Sequence, residues 1–160
     1  MKISPGWSSH MFVITKILEQ TSGAVLEMGT GLYSTPLMHW ICEDTKREHI
    51  SYENDPNYWK WFKHFRNDSH KVLFIEDWDK AEIERNWDVV LIDQKPEERR
   101  IIDIKKLANF AKFIIVHDTE PGVSSLYKYD EIFASFKYRL DYVKAMPNTT
   151  VLSNFSEIKL

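Results

Sequence analysis

Short runs of β-branched and aliphatic residues alternate along this chain with stretches whose apolar positions recur at helical spacing. The first such stretch runs from Ser9 to Gln20. It puts Met11, Ile14, Ile17 and Leu18 on one face and ends at Ser22-Gly23, which predicts a helix covering one side of a sheet. From Ala24 to Met28 the pattern is that of a buried strand, followed by the turn Gly29-Thr30-Gly31 and a helix with Thr35 as cap and Pro36 in its first turn. A second strand runs from His49 to Glu53, and Asp55-Pro56 opens a helix carrying Tyr58, Trp59, Trp61, Phe62 and Phe65. Next come a strand from Lys71 to Ile75, a short helix from Lys80 to Arg85, and a strand from Trp87 to Ile92 that is apolar enough to be central. Ile101, Ile104, Leu107, Ala108 and Ala111 fall at helical spacing, so Pro96 to Ala111 predicts an amphipathic crossover into a fifth strand, Lys112 to Val116. A helical or irregular stretch from Ser124 to Ala134 leads to a strand from Tyr138 to Val143. The turn Met146-Pro147-Asn148 then returns the chain through Thr149 to Ser153 as a closing hairpin.

Strand-helix alternation implies right-handed crossovers, so the fold class is α/β: a doubly wound, mostly parallel sheet with helices on both faces. The 160 residues contain no repeat, low-complexity tract or Gly/Ser/Pro-rich linker. That predicts one domain over residues 1–160, with residues 1–22 as an N-terminal helical extension. Ligands in such sheets lie beyond the carboxyl ends of the strands, where the winding direction reverses, and the chemically distinctive residues fall there.

Glu27 precedes Gly29-Thr30-Gly31 by two positions, and glycines there let the backbone approach a ligand; the same glycines also suit any tight strand-to-helix turn. Ser34 stands where a dinucleotide fingerprint has its third glycine, which disfavours a pyrophosphate site and hence an NAD-dependent enzyme. Glu53, at the end of the second strand, is placed to accept hydrogen bonds from both ribose hydroxyls. Asp77 and Trp78 follow the third strand, where a carboxylate can accept an adenine amino group and a large ring can border the base; plain edge packing of Trp78 is the alternative.

In this order of elements the chain resembles the class I S-adenosylmethionine-dependent methyltransferase family over nearly its whole length. The residues that carry the resemblance are Glu27-x-Gly29-x-Gly31, Glu53, Asp77, Asp93 after the fourth strand, and the closing hairpin. The resemblance implies a seven-stranded sheet of order 3-2-1-4-5-7-6 and an S-adenosylmethionine site. Glu27, Gly29 and Gly31 would lie near the methionine part, Glu53 at the ribose, and Asp77 with Trp78 at the adenine, with Ser34 a further cofactor-binding candidate. The run Val-Leu-Ile-Asp93 followed by Val-His117-Asp118 looks like that of small-molecule O-methyltransferases in which strand-end carboxylates hold a divalent cation. Asp93 and Asp118 would then bind Mg²⁺, which lowers the pKa of a substrate hydroxyl. A metal-free version uses His117 or Asp93 as general base, and a structural one has Asp93, His117 and Asp118 capping loop amides.

Methyl transfer from a sulfonium asks mainly for in-line positioning in a partly dry pocket, so no nucleophile is required. The acceptor expected is a small or medium molecule methylated on oxygen; the alternative is a cofactor-binding regulatory module without catalysis. Tyr33, Gln94, Lys95 and Glu120 fall on rim loops and read as solvent-facing, with substrate contact as the alternative, and Glu97-Glu98-Arg99-Arg100 reads as an acidic helix start followed by a solvated charged face. His10, His39, His49, His64 and His70 lack metal-ligand spacing and read as surface or structural.

A formal charge of −3 with a pI near 6.1 lacks the basic signature of a nucleic-acid binder. Asp93-Gln94-Lys95-Pro96 also stands where nucleic-acid methyltransferases carry an Asn/Asp-Pro-Pro-aromatic motif. Cys42 is the single cysteine and reads as a buried inert thiol. With neither a signal-like start nor a membrane-length apolar run, the expected location is cytoplasmic, away from membranes. The aromatic-rich helix at Tyr58 to Phe65 leaves an exposed remainder suited to a homo-oligomer contact.

Overall fold

The computed structural model describes residues 5–160, the side chain of Pro5 excepted. Seven strands form one sheet: β1 (Val25–Met28), β2 (His49–Glu53), β3 (His70–Phe74), β4 (Trp87–Ile92), β5 (Ala111–His117), β6 (Tyr138–Tyr142) and β7 (Thr149–Ser153). Their order is β3-β2-β1-β4-β5-β7-β6, as the resemblance implied; the first five pair in parallel and β7 runs antiparallel to both neighbours.

Residues of alternate parity in the strands feed two cores. Val25, Val89, Leu91, Phe113, Ile115 and Val151 pack with Val13, Ile14, Ile17 and Leu18 of α1 (Met11–Leu18) and with Met38 and Cys42 of α2 (Ser34–Asp44). Leu26, Met28, Val90, Ile92, Ile114, Val116 and Leu152 pack on the other face with Ile104 and Leu107 of a later helix, Arg100–Leu107, and with Tyr129 and Phe133. Burying each of these aliphatic side chains is worth about 1.5–3 kcal/mol, so both faces need their helices. Val13, Ile14, Ile17 and Leu18 of the N-terminal helix thus belong to the core.

Asp55 caps α3 (Pro56–Phe62) as expected, accepting from the amides of Asn57 and Tyr58 at 2.7 and 3.3 Å. Three local expectations are corrected. Thr35 does not cap α2; the helix begins at Ser34, and the Thr35 hydroxyl instead accepts from the Gly31 amide and donates to Glu27. The helix expected from Lys80 to Arg85 reduces to a 3-10 turn at Trp78–Lys80, because Ile83 is drawn into the core and its carbonyl accepts from Trp87 Nε1 at 2.8 Å. The crossover helix, α4 (Arg100–Leu107), starts after a 3-10 turn at Glu97–Arg99 and is only eight residues long. Beyond β5 lie α5 (Pro121–Leu126) and α6 (Tyr129–Phe133), separated by Lys128 at a φ of 58°. No helix among the described residues is long and apolar enough to cross a membrane.

Candidate active site

Parallel pairing brings the carboxyl ends of β2, β1, β4 and β5 side by side, since Met28 is in register with both Tyr52 and Ile92, and Ile92 with Val116. At about 4.8 Å per strand this rim extends roughly 14 Å from Glu53 to His117. A cavity of about 820 Å³ runs along it, within the usual range for a small-molecule site.

One end is built by the first turn and β2. Gly29 has a φ of 89°, and a Cβ there would come within 2.7 Å of the Gln94 backbone, so the glycine is required both by the turn and by the close approach of the β4 end. Gly31 and Ser34 line the same wall. Glu53 is buried and lines the cavity, with its carboxylate already in use: Oε2 accepts from the Thr30 amide and hydroxyl at 2.8 and 2.7 Å, and Oε1 accepts from the Asn54 and Asp55 amides at 2.8 and 2.7 Å. Gln94, expected to face solvent, is 1% exposed and lines the cavity. Its Nε2 donates to Asp103 at 2.8 Å, while Oε1 has no partner among the described residues.

Three candidate cofactor residues do not line this cavity. Glu27 is fully buried behind the turn, held by Thr35 and Ser51, and burial pushes its carboxyl up to about 7. Asp77 caps the 3-10 turn by accepting from the Asp79 amide at 3.0 Å. Trp78 is buried in the core, where its Nε1 donates to the Lys95 carbonyl at 2.8 Å and so anchors the loop that does line the site.

Asp93, His117 and Asp118 converge at the other end, with ligand atoms all within 4.8 Å of one another. A fourth residue changes what they can do. Arg100, read from the sequence as part of a solvated face, is 2% exposed. Its guanidinium donates to Asp93 at 3.0 Å, to Asp118 at 3.3 Å and to the carbonyls of Gln94 and His117 at 2.8 and 3.1 Å. Burial alone would lower its pKa, but the two carboxylates outweigh burial and the net shift is upward. The carboxylate pair thus already holds a permanent cation, and the set does not fit Mg²⁺ as well.

His117 has both ring nitrogens engaged. Ser9 Oγ donates to the Pro147 carbonyl at 2.8 Å, so its 2.9 Å contact with His117 Nε2 is made by an Nε2–H donor. Nδ1 faces Asp93 and Asp118, each at 3.4 Å. Burial disfavours the charged ring, but the Asp93 contact and the charges of both carboxylates raise its pKa overall. The same contacts with His117 and Arg100 hold Asp93 below the usual carboxylate range against its burial, whereas burial raises Asp118.

Arg100, His10 and Gln94 are site residues read from the sequence as solvated or merely structural, and one signal could have found the first two. Arg100, the first residue of its helix, continues the stripe of Ile104 and Leu107, and His10, just before the first residue of α1, continues that of Ile14 and Ile17.

No protein-family model matches the sequence, and no curated protein matches it. Solved structures do resemble it. The SAH-bound methyltransferase PaMTH1 of Podospora anserina superposes with a TM-score of 0.69 at 12% identity, over 94% of this chain and 79% of that one. An O-methyltransferase from Bacillus cereus in complex with SAH gives 0.64 at 14%, over 95% and 82%. The N-terminal domain of human METTL16 in complex with SAH gives 0.61 at 14%, over 98% and 73%. The chain has the class I methyltransferase fold.

Proposed function

We propose that this protein is an S-adenosylmethionine-dependent methyltransferase acting on oxygen of a small or medium acceptor. The observation that carries the reading is the single cavity spanning the rim from Glu53 to His117, long enough for a cofactor over β1 and β2 and an acceptor over β4 and β5. Three neighbours of the same fold are bound to SAH. Gly29, Gly31, Ser34 and Glu53 would hold the cofactor, whose sulfonium supplies an already activated methyl group. The Thr30 hydroxyl is the one side-chain donor on Glu53 that can rotate away, so a ribose hydroxyl would take its place. Gln94 Oε1, buried and open, suits a donor from either ligand. Asp93 and Asp118, fixed by Arg100 and His117, would border the acceptor without a metal ion.

Calorimetry with S-adenosylmethionine, S-adenosylhomocysteine (SAH) and NAD tests the assignment. The first two should bind, NAD should not, and Glu53→Ala should bind at least ten-fold more weakly. Failure of both to bind the parent protein would remove the cofactor assignment and leave the fold alone.

A further inference from the structure

His10 presents an unclaimed imidazole to the acceptor end of the cavity. It is 3% exposed and lines the cavity, and neither Nδ1 nor Nε2 has a hydrogen-bond partner among the described residues. Leaving buried polar atoms unpaired is costly, and a ligand that supplies the partner recovers that cost. The ring is also held firmly in place. His10 precedes α1, whose Val13, Ile14 and Ile17 are locked in the core, and it packs edge to face on His117 with ring centroids 4.4 Å apart. Its neighbour Ser9 ties the segment to His117 and Pro147.

We infer that His10 is the acceptor-binding residue, its free ring nitrogen taking the hydrogen bond and then the proton of a hydroxyl carried on an aromatic or apolar body. The inference rests on the methyltransferase reading above. Trp7 and Pro147, which line the cavity alongside His10, supply the apolar wall. Among the groups at this end His10 is the one suited to the proton. Both nitrogens of His117 are turned to protein partners, Asp93 is committed to Arg100 and His117, and Asp118 is bonded to the same pair. Burial and the His117 charge, opposed by Asp93, keep His10 neutral by lowering its pKa to about 4, so its lone pair is free at neutral pH.

The step balances. The hydroxyl oxygen forms the bond to the methyl carbon, the carbon–sulfur bond breaks with its electron pair going to sulfur, and the hydroxyl proton passes to His10. The positive charge that leaves sulfur thus reappears on the imidazole, within the field of Asp93. Repulsion from His117 then favours release of the proton to water.

The test uses phenol as the probe and SAH-loaded protein, with histidine ring resonances followed by NMR and SAH affinity by calorimetry. Phenol should shift the His10 ring signals and bind at least ten-fold more weakly to His10→Phe, while SAH affinity stays within two-fold in that variant. His10→Asn, which keeps a polar atom in the pocket, should recover part of the phenol affinity. If phenol leaves the His10 signals unmoved with SAH bound, or binds His10→Phe as well as the parent, the assignment of His10 is overturned and the cofactor reading survives. If SAH itself does not bind, it is the cofactor reading that fails.

Discussion

The guanidinium of Arg100 lies 3.0 Å from the carboxylate of Asp93 at the carboxyl end of β4. Asp118 completes the bridge from its other side at 3.3 Å, so the positive charge comes from the chain itself.

Replacing Arg100 by Met should therefore do two things. Loss of one partner from a buried ion pair costs about 3–5 kcal/mol, which denaturant unfolding will register. The variant should also acquire a response to Mg²⁺ or Mn²⁺, because Asp93 and Asp118 then lack a cation; its unfolding midpoint should rise with added metal, whereas the parent's should not. A parent midpoint that rises with Mg²⁺ would contradict the neutralisation by Arg100.

Stability should fall steeply below neutral pH. Burial depresses His10 to about 4 and His70 to about 3, and lowers His39 and His49 as well. A histidine with a lowered folded pKa binds its proton in the unfolded chain first, so its contribution is fully present above about 6.5 and is lost as pH falls toward the folded value. Each excess unfolded-state proton is worth about 1.4 kcal/mol per pH unit. Glu27, Asp103 and Asp118, all three raised by burial, oppose the four histidines but are outnumbered. His117, raised, acts in the other window: its contribution is present below about 6.5 and is lost as pH climbs through its folded value. Unfolding free energy measured from pH 4.5 to 8.5 should therefore peak near neutrality and drop faster on the acid side; a flat acid limb would show that the buried histidines are not held neutral.

The sheet was legible because a strand covered on both faces is a continuous apolar run set between helical patterns: Val25 and Leu26 enter different cores, as do Val89 and Val90. The glycine turn and Glu53 were legible because strand-end position narrows what those residues can be. Arg100 was not, since a charged pair following two glutamates reads as surface until its place on the Ile104–Leu107 stripe is noticed. His10 was obscured in the same way. Asp77 and Trp78 sat at the expected strand end, yet the third strand's following turn folds back on itself, so the carboxylate caps the turn and the indole enters the core. Turn geometry depends on which side chains the core claims, which pattern alone does not encode.

Glu27 offers a separable titration. It is fully buried, and desolvation raises its pKa to about 7 despite hydrogen bonds from Ser51 and Thr35. A raised carboxyl binds its proton more tightly when folded, so stability falls as pH rises from about 4.5 to 7 and the whole penalty is present above. Glu27→Gln does not titrate. Its stability relative to the parent should improve by roughly 2.5 kcal/mol between pH 5 and pH 8, and a pH-independent difference would mean that Glu27 is not desolvated as described.

Thr30→Val separates the two jobs of Glu53. In the parent, four donors surround that carboxylate, three of them backbone amides that fix the β2 end and the glycine turn, and one the Thr30 hydroxyl. Valine keeps the amide bond and the branched shape at position 30 while removing the hydroxyl, so the turn should survive and the carboxylate gain an open lone pair facing the cavity. Losing a single net hydrogen bond costs about 0.5–1.5 kcal/mol, a modest fall in unfolding free energy. SAH, which no longer has to displace a competitor, should bind Thr30→Val as tightly as the parent or tighter, by up to about ten-fold. Calorimetry decides the matter: weaker binding with an intact fold would mean that the Thr30 hydroxyl contacts the ligand, and that Glu53 serves the turn alone.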